Sequence, residues 1–223
     1  MKVKALALGL LLSFFSAFFA TNAFANPGSG LEIKISGTAP IVNFTTTKEG
    51  ERGSVTYKDE YDYAEWMVGF NGRISLGYRW SIIGLYIDQD LGWVKYNNTE
   101  NKDIDPYFLG GTYFTFRALI PLSALEFDFG LGLGLMYSNG DDARAHTKHM
   151  AITTDSDGDA SPCFAFKIAI GLSYFITNSV GIGIDLDYAV GMNIVSYHED
   201  GYRVEQTDYI HHFTPGLHLR FVL

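Results

Sequence analysis

Leu125 to Met136 reads Leu-Glu-Phe-Asp-Phe-Gly-Leu-Gly-Leu-Gly-Leu-Met. Every odd position from Leu125 to Leu135 is a large apolar residue, and every even position from Glu126 to Gly134 is an acid or a glycine. Period two over that length means a β-strand, because successive side chains leave a strand on opposite faces. A helix would scatter the Leu and Phe residues around its circumference. The fold then depends on which face looks where. Apolar side chains turned inward would give a soluble barrel, and turned outward they would give a barrel that meets lipid.

The first residues are set aside before folding is considered. Lys2 and Lys4 give a positive start, Ala5 to Ala20 is apolar apart from two serines, and Ala23-Phe24-Ala25 is a small-x-small cleavage site before Asn26. This is the pattern of a secretory signal peptide over residues 1–25, leaving 26–223 as one β-barrel domain. No Cys stands directly after the cleavage site, and Cys163, the single cysteine, cannot form an internal disulfide. Removing Lys2 and Lys4 takes the formal charge from −9 to −11. An acidic chain is a poor partner for nucleic acid. The mature part has no apolar run long enough for a spanning helix. Aromatics at 15%, 24 glycines and 18% charged residues, behind a secretory signal, fit a transmembrane β-barrel.

Eight alternating segments follow. The first runs near Gly30 to Thr45, with Leu31, Ile33 and Ile35 on one face and a bulge expected at Thr38-Ala39-Pro40. The others are Tyr63–Trp80, Ile83–Tyr96, Tyr107–Leu119, Leu125–Tyr137, Cys163–Phe175, Val180–Asn193 and about Ile210–Leu223. Long connections (Thr46–Asp62, Asn97–Pro106, Ser138–Pro162, Ile194–Tyr209) alternate with short ones (Ser81-Ile82, Ile120–Ala124, Ile176–Ser179). That is the layout of an all-β, eight-stranded antiparallel up-and-down transmembrane β-barrel with extracellular loops and periplasmic turns. The four long connections hold most of the excess acid, so an acidic extracellular crown is expected.

Three features place the apolar face against lipid. Trp66, Trp80 and Trp93 lie on that face near strand ends and resemble two aromatic girdles. The other face is rich in Gly, Ala, Ser and Thr, which suits a cramped interior. Side chains such as Phe127 and Phe129 would overfill so narrow a lumen. The polar face is also sorted by charge. Acids dominate odd strands: Glu32, Asp88 with Asp90, Glu126 with Asp128, and Asp185 with Asp187. Bases dominate even strands: Arg73 with Arg79, Arg117, Lys167, and Arg220 beside His218. Lys34 and Glu65 break the rule. In an antiparallel barrel each odd strand lies between two even ones, so a charged, side-chain-filled lumen carrying a ladder of charge-assisted hydrogen bonds is expected.

The whole mature chain resembles the small outer-membrane barrels of the OmpA/OmpX and opacity-protein type. Gly216-Leu217-His218-Leu219-Arg220-Phe221 resembles the C-terminal signal read by the barrel-assembly machinery, although Val222 and Leu223 follow the Phe where the family usually ends on it. The peptidoglycan-binding domain that follows some such barrels is not expected here. The resemblance implies residence in the bacterial outer membrane. It also implies lipid, lipopolysaccharide and the assembly machinery as partners, a monomeric state, and a host or surface ligand at the loops.

Other motifs point to chemistry only faintly. Gly130-x-Gly132-x-Gly134 continues the inward face and opens no helix, so it is not a nucleotide fingerprint. Asp155, Asp157 and Asp159 have the spacing that begins a calcium loop. The closing Glu is missing, and Ala160 stands where the sharp-turn Gly would be. His146-x-x-His149 lacks a third ligand. Some eight-stranded barrels modify lipid A, and the deacylase type resembles a Ser-His-Glu arrangement with His and Ser two residues apart. Here Arg220 stands two after His218, and His-x-Ser occurs nowhere; Tyr197-His198-Glu199 is the nearest alternative, for an acyltransferase. The expected function is structural or surface interaction, with no cofactor, no resident metal and no catalytic site. A narrow channel is the first alternative and a lipid A-modifying enzyme the second.

Overall fold

The structure, a computed structural model, describes residues 28–52, 55–96, 106–139, 163–199 and 202–223. Its strands are β1 (Gly30–Thr38), β2 (Ile41–Arg52), β3 (Val55–Trp80), β4 (Ile83–Tyr96), β5 (Tyr107–Leu122), β6 (Leu125–Asn139), β7 (Cys163–Phe175), β8 (Val180–Glu199) and β9 (Tyr202–Val222). They form one antiparallel sheet, and the pairings β3–β4 and β1–β9 close it. β1 and β2 are two halves of one stave. Both lie between β3 and β9, and the register runs through the gap: Thr38 faces Asn71 and Gly216, and Ile41 faces Val68 and Phe213. The barrel therefore has eight staves.

The bulge expected at Thr38-Ala39-Pro40 is absent. Pro40 has no N–H to give, so the ladder is interrupted there without a change of register. Ala39 N–H still donates to the Pro215 carbonyl (2.9 Å), and the Pro40 carbonyl accepts from Gly69 N–H (3.1 Å). The register shift lies a little further on, between Val42 and Phe44.

Two of the expected loops are largely strand. β2 and β3 stay paired out to Arg52 and Val55, and β8 and β9 to Glu199 and Tyr202. β2 also stays on β9 as far as Glu51 and Arg203. The connections Thr46–Asp62 and Ile194–Tyr209 thus build a four-stranded extension of the barrel wall, in the order β3-β2-β9-β8. Their apolar alternation is weak because this wall does not pass through hydrocarbon, and that alternation was the signal used to place the strands. The calcium candidates Asp155, Asp157 and Asp159, the pair His146 and His149, and residues 1–25 lie outside the described residues.

The faces divide as lipid demands. Phe127, Leu131 and Ile184 are 43%, 44% and 54% exposed on the outer wall, while Asp128, Arg117 and Asp185 are 4% exposed or less inside. Inward apolar side chains collect at the two ends. Val42, Met67, Val94, Leu109, Tyr113, Met136, Cys163 and Ile210 belong to one cluster toward the long-connection end. Ala124, Phe175 and Val222 form a smaller one beside the tight turns.

Two of those turns carry strain. Ser81 and Ser123 have φ of 59° and 63°. Each is the first residue of a two-residue hairpin turn, where the II′ geometry favours glycine. An L side chain there costs about 1–2 kcal/mol, partly offset by the extra chain entropy of glycine. Ser81→Gly should therefore raise the temperature at which the folded, heat-modifiable band is lost on a gel. A gain of about 0.5 kcal/mol is expected, whereas Ser81→Val should lower that temperature.

Candidate functional site

The lumen is the most elaborate polar assembly in the described residues. Its side chains point inward because each sits on the even or odd partner of a lipid-facing residue. Near the tight turns, Arg79 on β3 holds Glu32 of β1 (3.3 Å) and Glu126 of β6 (2.7 Å). Arg220 on β9 holds the same two carboxylates, Glu32 at 2.6 Å and Glu126 at 2.8 Å. The four groups make a closed ring of alternating charge that joins β1, β3, β6 and β9.

Further up, Arg117 on β5 bridges its two neighbours, Asp88 of β4 (3.0 Å) and Asp128 of β6 (3.3 Å). Asp88 also takes Lys167 of β7 (2.7 Å) and the Thr115 hydroxyl, which donates at 2.8 Å. Lys167 reaches Asp187 at 3.3 Å. Arg73 binds Asp90 on the adjacent β4 and Asp187 on β8 across the lumen. Lys34 of β1 donates to Asp185 of β8 (2.9 Å), and Ser36 donates to the other oxygen of that carboxylate (3.0 Å). His218 stands between Asp185 and Ser173, with Nδ1 3.1 Å from the carboxylate and Nε2 2.9 Å from the hydroxyl.

The sequence led to the expectation of pairing between adjacent strands. The structure has such pairs, and it has others that cross the tube: Arg79 to Glu126, Arg220 to Glu126, Lys167 to Asp88, and Arg73 to Asp187. An eight-stranded lumen is only about as wide as the side chains that fill it, so an Arg or Lys spans it. Lys34, an exception to charge sorting, joins the network. The Glu65 side chain lies outside the described residues.

Charge counting also missed the aromatic lining. The Arg117 guanidinium lies 4.8 Å from the Tyr86 ring centroid, the Lys167 ammonium 4.9 Å from that of Tyr113, and the Arg220 guanidinium 5.5 Å from that of Phe175. Each is a cation held over a π face in a place shielded from water. The signal was present, since Tyr86 and Tyr113 sit at inward positions between outward apolar residues. Glycines make the space. A Cβ on Gly130 would lie 3.3 Å from Arg117 Cγ, and one on Gly132 the same distance from Lys167 Cβ. Gly77, Gly84 and Gly111 lie under the Tyr86 and Tyr113 rings.

The outer wall carries the tryptophans. Trp80 ends β3 and packs on Tyr78, with ring centroids 4.9 Å apart. Trp93 lies near the end of β4, 6.0 Å from Phe108. Both, with Trp66, are exposed on the outer face. Trp66 is not near a strand end, because β3 runs on to Val55.

No family model matches the chain, and no curated protein sequence matches it. Among solved structures it is similar to Neisserial surface protein A, at 13% identity and a TM-score of 0.47, covering 83% of this chain and 97% of that one. It is similar to OprG of Pseudomonas aeruginosa at 10% identity and 0.47, covering 90% and 100%. It is also similar to Ail, the attachment invasion locus protein of Yersinia pestis, at 10% and 0.32, covering 83% and 99%. The class rests on the closed ladder, the lipid-facing exterior and the ionised interior. Within hydrocarbon a sheet must close on itself to satisfy its backbone, and tight turns alternating with long extracellular connections belong to outer-membrane barrels. The fold is that of a small outer-membrane β-barrel.

Breaking one member of a buried ion pair costs about 3–5 kcal/mol, because the partner is left charged and dry. Arg117→Ala leaves Asp88 and Asp128 short of a guanidinium and should lower the unfolding free energy measured in urea by that amount. Arg203→Ala, on the exposed extension, should shift it by less than about 1 kcal/mol. Equal shifts would mean that the lumen pairs do not hold the barrel together.

Proposed function

We propose that this protein is a closed scaffold whose role is structural or surface interaction: it anchors an extracellular wall and loops, and it does not conduct. One observation carries this reading. The ion-paired lumen lies between two clusters of inward apolar side chains, Met67, Met136, Leu109 and Ile210 at one end and Phe175, Val222 and Ala124 at the other. A solute path would have to break both cross-lumen ion pairs and dry packing. A channel for apolar ligands would want an apolar lumen throughout, and this one is charged along its middle.

Among the described residues, the extension of β2, β3, β8 and β9 is the wall best placed to meet a partner. Its outer face presents Glu49, Glu51, Lys58, Arg203 and Glu205, with Lys58 and Glu49 paired at 2.9 Å. A rigid barrel that holds such a wall clear of the membrane is a display device. We place adhesion or envelope integrity in this wall and its loops, and no catalysis in the lumen.

Planar bilayers test the scaffold reading. The purified barrel should add no discrete open level to the bare bilayer, whereas steady unitary steps would favour the narrow channel. Replacing residues 46–62 with a two-residue turn should leave heat-modifiable migration intact. It should abolish the surface phenotype, read as cell adherence and as resistance of whole cells to detergent. Loss of neither would remove the wall from the function.

A further inference from the structure

The outer wall carries a groove of about 680 Å3 over β2, at the level of Trp66. Its floor is made of the short outward side chains of β2: Ile41, then Asn43, then Thr45 toward the extracellular end. Trp66 on β3 forms one wall. Phe213 and His211 on β9, with Tyr188 on β8, form the other. The floor starts where Pro40 has interrupted the ladder, and Pro215 of β9 lies next to the same break.

The groove is graded in polarity along the strand. Its membrane-side end is Ile41, which faces Phe213, and its outer end is Asn43, which faces His211, followed by Thr45. His211 is held in place. Its Nδ1 is 2.7 Å from the Tyr188 hydroxyl, and its ring stacks between Tyr188 and Tyr209, with centroids 6.3 and 6.5 Å away. When that hydroxyl donates to Nδ1, the Nε2–H remains as a donor. Neither Nε2 nor the Asn43 and Thr45 side chains have a hydrogen-bond partner among the described residues. A second outer-wall groove of about 660 Å3, between Leu133, Phe164, Phe166 and Met192, has the Tyr209 phenol beside Met192 but no amide or imidazole in its lining.

We propose that the β2 groove is a specific site for one acyl chain of the outer-leaflet glycolipid, with the ester or amide linkage of that chain held by Asn43 and His211. The occupant follows from the position and the gradient. The groove opens on the bilayer, so what fills it is a lipid. Hydrocarbon fits the Ile41, Phe213 and Trp66 end. Neutral donors fit the carbonyl and hydroxyl oxygens at the head of an acyl chain, and the absence of Lys or Arg from the lining sets it apart from a phosphate clamp. Free donors facing hydrocarbon are costly, and a lipid linkage at that depth satisfies them. The site is independent of what the extracellular wall binds.

The test uses the folded full barrel in nanodiscs of phosphatidylethanolamine and phosphatidylglycerol, with or without purified lipopolysaccharide. Native mass spectrometry of the released protein counts the lipid retained. One equivalent of glycolipid should survive competition from excess phospholipid. Asn43→Leu with His211→Leu keeps the bulk and removes the donors. It should cut retention about tenfold, the weight of two neutral hydrogen bonds. Phe164→Ala, in the apolar groove, should leave retention unchanged, and heat-modifiable migration confirms that each variant is folded. The proposal fails if the double variant retains as much glycolipid as the parent, or if phospholipid is held equally well.

Discussion

Every backbone amide of this chain that crosses hydrocarbon must find its partner in another strand, because nothing in an acyl layer can accept or donate in its place. The sheet has no choice but to close. With eight staves, closure leaves a bore about one layer of side chains wide. The other features of the interior follow from that narrowness. A charged group placed there cannot keep a hydration shell, so it needs an opposite charge within reach. It also cannot be far from one, since an Arg on β3 touches carboxylates on β6 and β8 as readily as on β4.

The cross-lumen pairs act differently from those along the wall. A pair between adjacent strands supports a ladder that backbone hydrogen bonds already define. A pair such as Arg79 with Glu126 or Lys167 with Asp88 ties staves that share no backbone contact, and so fixes the cross-section of the tube. The ring of Arg79, Glu32, Arg220 and Glu126 does this from both sides, since each base meets both acids. No member of the ring is left with an unbalanced neighbour, which is the condition for a buried charge to be tolerated. The apolar clusters at the two ends contribute by keeping water from competing for these bonds, and attraction between the charges is stronger for it.

The part of this arrangement that lipid enforces was legible in the sequence. Leu125 to Leu135 alternates because hydrocarbon on one side and a cramped bore on the other admit few residue types, and the charges on the inner face are sorted by strand because like charges on neighbouring staves would repel. What could not be read was set by distance across the tube. Nothing in linear order brings Lys34 to Asp185 or Arg73 to Asp187. The apolar ends were also hidden. Met67, Val94 and Met136 point inward at the long-connection end, where inner and outer faces are both apolar and the alternation that marks a face fades. The wall beyond the membrane was misread as loop for the complementary reason: Thr45 to Arg52 can be polar on both faces and still pair. Tyr86 and Tyr113 fell between the two criteria, since they are too polar to be counted as lipid-facing and too neutral to be counted with the ion pairs.

The same reasoning explains where this barrel can afford to be irregular. A stave that lost its register in mid-membrane would move every inward charge of that stave to the lipid face. Pro40 and Pro215 remove ladder donors from adjacent staves, yet Thr38 and Ile41 keep a common register with both neighbours. Lys34 and Ser36 just below the break are bound to Asp185, and Arg73 across the seam is bound to Asp90 and Asp187. These side-chain bonds hold the alignment that the missing backbone bonds do not. The pairing of β2 with β3 slips only after Val42, beyond the break and beyond the lumen pairs of Lys34 and Arg73, while β2 keeps its register with β9. The slip is of two residues, so it moves no side chain to the other face: Trp66 on one side of it and Lys58 on the other both point outward, and the inward charges stay inward.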